Sequence, residues 1–122
     1  MRNFRELHIW QKGMEIVRKV YILTPLLPDT EKYGLRSQLQ RAAVSIPSNI
    51  AEGCSRNSER DFKWFLHIAI GSAFELETQL TISHQINLIP KKKVEHILTL
   101  LSEEQKMINS FISAIKTRKA NT

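Results

Sequence analysis

Hydrophobic residues recur every three or four positions in four stretches of this chain, and short clusters of turn residues separate the stretches. This spacing is typical of amphipathic α-helices that bury one face. It predicts helices over about residues 7–24, 31–54, 59–86 and 90–117. Short connections make consecutive helices antiparallel, so we predict one all-α domain over residues 1–122, an up-down-up-down antiparallel four-helix bundle.

Several residues mark where these helices begin and end. Pro25 ends the first helix, since proline cannot continue an established helix. Ser58 and Asp61 form a capping box at the start of the third helix. Pro90 suits the first turn of the fourth, where its missing N–H carries no penalty.

Pro47 is unusual because it falls inside the second helix. Proline there removes one backbone hydrogen bond and leaves the Ala43 carbonyl without its donor, at a cost of about 3 kcal/mol. We therefore predict a kink at Pro47, with polar groups from nearby residues satisfying the carbonyl. The candidate donors are Ser45, Ser48, Asn49 and His67. A break into two shorter helices is the alternative.

Antiparallel packing of the second and third helices sets which residues lie at the same level. It places the alanines at 42–43 opposite Gly71 and Ser72, and small residues there allow a close approach. It also brings Arg41 within reach of Glu75, so we expect a partly buried ion pair.

The first and fourth helices carry wider apolar arcs than one core needs. In the fourth helix the arc spans roughly 200°. This surplus predicts a contact between copies of the chain, and a thickly buried helix in a monomer is the alternative. Glu104 falls inside the arc of the fourth helix, where a charge needs a partner, and a residue of a second copy is one candidate.

Composition fits one globular domain, because 42% of the 122 residues are hydrophobic and 25% are charged. Eighteen Lys and Arg against 12 Asp and Glu give a net charge of +6, which favours polyanionic partners. The one cysteine excludes an internal disulfide. The N-terminus lacks the apolar stretch of a signal peptide and no long apolar run occurs, so we expect a cytoplasmic protein with no membrane partner.

Motifs for catalysis or metal binding are missing from the sequence. None of the four histidines lies three residues after a glutamate, the spacing of di-metal sites in bundles. Cys54 lies near a predicted helix C-terminus, which favours an inert thiol. We expect no metal, cofactor, small-molecule substrate or enzymatic activity. The alternative is an enzyme that uses a polar stripe made of Gln38, Arg41, Ser45, Asn49 and Glu52.

In the predicted bundle, the chain start, the connection between the second and third helices, and the chain end meet at one end, which we call the basic pole. Its cations are Arg2, Arg5, Arg56, Arg60, Lys63, Lys116, Arg118 and Lys119. Carboxylates at the same end are Glu6, Glu52, Glu59 and Asp61, leaving about +4. We expect this pole to bind phosphates by charge and shape. The alternative is that these cations serve solubility and helix dipoles.

The central string YGLRSQLQRAAVSIPSNIAEG, residues 33–53, resembles four-helix-bundle proteins encoded in intervening sequences of bacterial 23S ribosomal RNA genes, a ribosomal protein-like family. LHIWQK at 7–12 and IAIGSAFELETQL at 68–80 resemble it as well. The resemblance extends distantly to the accessory protein of diversity-generating retroelements. It implies a ring-like homo-oligomer of five copies with no established enzymatic activity. It also implies an architectural role for the motif residues Arg41, Pro47, Asn49, Glu52, Gly71 and Glu75.

These inferences combine into one prediction. We expect a non-enzymatic, cytoplasmic homo-oligomer that binds structured RNA or DNA through its basic pole. The alternative is a protein-interaction scaffold without nucleic-acid binding.

Overall fold

A computed structural model describes residues 2–120 of the chain, with side chains through residue 115. Within this range the chain forms four α-helices and no strand, which confirms the all-helical prediction. The helices are α1 (His8–Leu23), α2 (Leu35–Cys54), α3 (Glu59–Gln85) and α4 (Lys91–Ala120). Short 3-10 segments precede α1 at Phe4–Glu6 and connect α1 to α2 at Thr24–Leu26 and Asp29–Glu31.

Local hydrogen bonds explain where α2 and α3 begin. Ser58 Oγ accepts a hydrogen bond of 3.1 Å from the Asp61 backbone N–H, as the capping box predicts. The second helix begins later than expected, because the Glu31 carboxylate accepts a bond of 2.9 Å from the Leu35 N–H and so caps the helix there.

The end of α3 forms a compact turn. Asn87 has a φ of 63°, in the left-handed region that asparagine tolerates better than most residues. The Leu88 N–H reaches back over this turn to the Ser83 carbonyl at 2.9 Å. These two features form the Schellman motif, which satisfies a carbonyl that the helix end leaves free.

Each helix packs on two others: α1 and α3 both contact α2 and α4. The core between them is built from the inward faces of all four helices and includes Ile16, Leu39, Leu76 and Leu101, which are fully buried. The Arg2 N–H donates to the Cys54 carbonyl at 3.1 Å, so the chain start lies at the end of α2.

Most of each wide apolar arc is covered within one copy of the chain, although Leu98, Met107 and Phe111 of α4 are only half-buried. Val94, Leu101 and Ile108 are fully buried in α4, and of the apolar residues that define the arc of the first helix Tyr21 alone is exposed. Four packed helices bury more of each helix than a single seam does, so the width of these arcs does not by itself require a second copy. A contact between copies stays a prediction. Exposed apolar side chains lie instead on the outer face of α3, at Trp64 and Phe74, and at other positions in the described chain.

The seam between α2 and α3 also differs from expectation. The hydroxyls of Ser45 and Ser72 hydrogen bond across it at 2.8 Å. Gly71 does not face the seam: it is exposed, and an added Cβ would meet nothing within 4 Å. Arg41 and Glu75 are both exposed and form no ion pair among the described residues, because their side chains leave the seam on outer faces.

The helix α2 continues through Pro47 without a break. The Pro47 ring is buried against α1. A Cβ added at Gly13 of α1 would lie 3.4 Å from Pro47 Cβ and Cδ. The Asn49 amide nitrogen donates to Ser45 O and Oγ at 2.8 Å each, so polar groups do cluster near the proline. His67, the facing candidate donor, is exposed. The kink itself stays a prediction.

Glu104 of α4 is fully buried, and neither carboxylate oxygen has a hydrogen-bond partner among the described residues. One oxygen would lie 3.1 Å from a Cβ at Gly13, the position that also meets Pro47. Burial raises the pKa of Glu104 to about 8, and the charge of Lys12 opposes this rise only in part. None of the described residues of this chain forms an ion pair with Glu104, so within one copy the raised pKa makes the side chain a neutral acid at pH 7. A partner from a second copy stays a prediction.

Two glycines differ in what surrounds them, and this yields a prediction. A Cβ at Gly53 would lie 2.9 Å from Phe65 Cβ and 3.0 Å from Phe62 Cδ1, so Gly53→Ala should lower the free energy of unfolding by about 1–3 kcal/mol through overpacking. Gly71 is an interior position of α3, and a Cβ there would meet nothing within 4 Å. Gly71→Ala should therefore raise the free energy of unfolding by about 0.5–1 kcal/mol. Urea denaturation measures both; equal effects would contradict the described packing.

Glu104 predicts a pH dependence of stability. Between the pKa of an unfolded glutamate, near 4.5, and about 8, the folded state holds a proton that the unfolded state has lost. The free energy of unfolding should therefore fall as pH rises through this window, by up to roughly 1.4 kcal/mol per pH unit. Glu104→Gln should flatten this slope in urea denaturation from pH 5 to 8.

Glu103→Gln is the matched control, since Glu103 is exposed and Lys12 lowers its pKa. The stability that Glu103 contributes is therefore constant across this pH window and is lost only at lower pH, so the slope should persist in this variant. A slope that survives in Glu104→Gln would show that Glu104 is not the buried acid responsible.

Candidate nucleic-acid interface

The structure brings Arg2 to the start of α3. Its guanidinium forms an ion pair of 2.7 Å with Glu59 and lies 4.2 Å from the centroid of the Phe62 ring. About a quarter of the Arg2 side chain stays exposed. Arg2 therefore fastens the chain start to α3, and much of its charge is already compensated.

Two more predicted cations also have local partners. Arg56 forms an ion pair of 3.2 Å with Glu52, one turn earlier in the chain, and its guanidinium lies 4.8 Å from the centroid of the Phe65 ring. The guanidinium of Arg5 lies 4.6 Å from the Phe4 ring. Arg5 and Arg56 are exposed, so each can still meet a phosphate at its outer edge.

Arg60 and Lys63 are the described cations of the pole without such compensation. They lie near the start of α3, with Arg60 exposed and Lys63 half-buried, and neither takes part in the ion pairs of the described side chains. Cations at a helix N-terminus oppose the helix dipole, so their position has no helix-stabilising reason.

The described part of the basic pole is nearly neutral. Five cations, Arg2, Arg5, Arg56, Arg60 and Lys63, stand against the four carboxylates Glu6, Glu52, Glu59 and Asp61. The side chains of Lys116, Arg118 and Lys119 lie outside the described residues. The predicted excess of positive charge at this pole therefore depends on those last three residues.

A second basic surface was missed by the sequence analysis. Lys91, Lys92 and Lys93 are all exposed in the first turn of α4, which contains no acidic residue. The only carboxylate near them among the described ion pairs is Glu95, 4.0 Å from Lys91. The run of three lysines is visible in the sequence, and its position at a helix start was the signal that could have identified it.

The outer face of α2 carries a polar groove with a volume of about 530 Å³. It is lined by Tyr21, Ser37, Gln40, Arg41, Val44, Ser45, Ser48, Asn49 and Glu52. Four of the five residues of the polar stripe meet in this groove, whereas Gln38 lies outside its lining. The stripe therefore lines a recess in the surface, in which Ser45 is hydrogen-bonded to both Asn49 and Ser72.

Other candidate chemistry has little support in the described residues. Cys54 is buried at the end of α2, and burial raises the pKa of its thiol, which is unfavourable for a nucleophile. No group of three His, Cys, Asp or Glu side chains in the described chain is placed to hold a metal ion. Likewise, none of the helices described is long and apolar enough to cross a membrane.

Comparison with known proteins places this helical chain in a family. The sequence model of the protein family described as 23S rRNA-intervening sequence protein matches residues 5–110 of this chain. The chain is also similar to a crystal structure from Bacteroides thetaiotaomicron VPI-5482, a protein with unknown function from the S23 ribosomal protein family. That structure has a TM-score of 0.79 and 27% sequence identity, and the similarity covers 85% of this chain and 97% of that one.

None of the curated proteins compared with the chain matches it. The two descriptions that do match name no enzymatic activity. Because the family model covers most of the sequence, from the start of the first 3-10 segment into the C-terminal half of α4, the chain belongs to the 23S rRNA-intervening sequence protein family.

Proposed function

We propose that this protein is a non-enzymatic, cytoplasmic homo-oligomer that binds structured RNA or DNA through its basic pole. The observation that carries the proposal is the pair Arg60 and Lys63, whose charges are compensated by none of the described ion pairs. Arg2 and Arg56 flank the same region through their contacts with Phe62 and Phe65. The net charge of +6 agrees with a polyanionic partner.

Binding of this kind recognises phosphates and shape. The described pole contributes cationic side chains, which contact phosphates and not base edges. Affinity should therefore depend strongly on salt and weakly on sequence. One pole with few free cations binds weakly. Several copies would present several poles to one nucleic acid, and their contacts would add through effective concentration.

The proposal also includes the directions of the four helices and the way in which copies of the chain join. We propose alternating helix directions, supported by a groove that Leu23 at the end of α1 shares with Lys93 near the start of α4. The resemblance implies a ring of five and a distant relation to the retroelement accessory protein. The surface suited to joining copies is the outer face of α3, where Trp64 is 60% and Phe74 52% exposed.

The same exposed side chains support a second candidate, a scaffold that binds other proteins. In that function the outer face of α3 contacts a protein partner and the cations of the pole serve solubility. The two functions differ in what they predict for nucleic acid.

Titration of a structured RNA hairpin at several salt concentrations tests the proposal. The double variant Arg60→Gln, Lys63→Gln should weaken binding about 3–10-fold at low salt and make the slope of log K against log salt less steep by about 1–2, since it removes up to two phosphate contacts. The matched control is Lys91→Gln, Lys92→Gln, which removes the same charge from the other basic surface.

Equal losses in the two double variants would show that total charge, and not the basic pole, controls binding. Absence of salt-dependent binding by the unmodified protein would leave the scaffold as the function. Light scattering after size exclusion measures the number of copies, and a monomer would contradict the homo-oligomer.

A further inference from the structure

We propose that the polar groove on the outer face of α2 binds a phosphorylated nucleoside, with the phosphate at Arg41 and the base against the Tyr21 ring. Such a unit occurs free as a mononucleotide and as an unpaired position in a nucleic-acid strand. If the unit is part of a strand, this proposal rests on the proposed function and adds a second contact between the protein and the nucleic acid.

Packing does not explain the polar side of α2. The inward residues of this helix, such as Ala43, Ile46 and Ile50, are fully buried and hold it in the core. Arg41 and Ser48 point outward and are exposed. The core would form without them, so their chemistry is available for a ligand.

Small side chains form the recess itself. Ser37, Ser45 and Ser48 line it, whereas the larger Tyr21 and Arg41 also stand among its lining residues. The volume of about 530 Å³ lies within the roughly 300–1,000 Å³ typical of small-molecule sites. The recess is therefore large enough for one nucleotide unit.

Hydrogen bonds orient two amides of the groove. The Gln40 amide nitrogen donates to Thr24 Oγ1 at 3.0 Å, and the Asn49 amide nitrogen donates to the Ser45 carbonyl and hydroxyl at 2.8 Å. With both nitrogens engaged, the amide oxygens are left as acceptors for the hydroxyls of a sugar or the amino group of a base. The Ser45 hydroxyl is held in turn by Ser72 at 2.8 Å.

Charge in the groove favours a phosphate. Arg41 is exposed and none of the described carboxylates forms an ion pair with it. The one carboxylate of the lining, Glu52, is paired with Arg56 at 3.2 Å. A guanidinium with free donors suits a phosphate, and the half-exposed ring of Tyr21 offers a surface on which a base can stack.

Calorimetric titrations with AMP, adenosine and ribose 5-phosphate test the groove. AMP should bind more tightly than either fragment, since each fragment lacks one of the two contacts. Arg41→Gln should weaken AMP binding at least fivefold and adenosine binding little. Tyr21→Ser should weaken AMP and adenosine alike, whereas Tyr21→Phe keeps the ring and should preserve both.

The matched control is Lys106→Gln, an exposed cation of α4 outside the groove, which should leave AMP binding unchanged. Circular dichroism of each variant reports whether it folds. Equal affinity of AMP in the unmodified protein and in folded Arg41→Gln and Tyr21→Ser would overturn the proposal, as would no detectable AMP binding at millimolar concentration.

A single-stranded 12-nucleotide RNA distinguishes the two sources of the ligand. If Arg41→Gln weakens binding of the strand as well as binding of AMP, the groove binds a nucleotide unit of the strand. If it weakens AMP alone, the groove binds free mononucleotides. A third outcome is that AMP does not bind, while hairpin binding depends on Arg60 and Lys63 but not on Arg41. This outcome would overturn the nucleotide-binding proposal for the groove and support the proposed function.

Discussion

Burial of four apolar helix faces in one shared core determines where every other group of this molecule can lie. Ile16, Leu39, Leu76 and Leu101 come from four different helices, and each is fully buried. Burial of side chains of this size contributes about 1.5–3 kcal/mol each, far more than any surface ion pair of the molecule. Helix rotation is thereby set, and the polar residues take whichever positions the core leaves on the outer faces.

The surroundings of Gly13, where α1 faces both α2 and α4, show how strictly this constraint acts. Gly13 lies where a larger residue would meet both the Pro47 ring and a Glu104 oxygen. A proline inside α2 and a carboxyl group inside the core are each unfavourable alone. Burial raises the pKa of Glu104 to about 8, so Glu104 lies in the core as a neutral acid, and the Pro47 ring is buried beside Gly13.

Short-range signals in the sequence predicted much of the fold, and long-range ones predicted less. Helix number and the cap at Ser58 follow from spacing and from hydrogen bonds within one turn, so they could be inferred without coordinates. The Arg41 and Glu75 pair failed because residues at the same level of two helices can still point away from each other. The apolar arcs of α1 and α4 show a related limit of periodicity, which gives the width of a buried face but not how many neighbours cover it.

The candidate sites follow the same division. Sequence order grouped Arg2, Arg56 and Arg60 correctly at the chain start, the end of α2 and the start of α3, but ring contacts and carboxylates that compensate the first two appear only in three dimensions. Outer faces then differ in character because the core places no demand on them. The face of α3 exposes the large apolar side chains of Trp64 and Phe74, and that of α2 is a polar recess around Arg41. Two surfaces of opposite chemistry therefore lie on adjacent helices, and this difference is why we propose a protein contact for α3 and a phosphorylated ligand for α2.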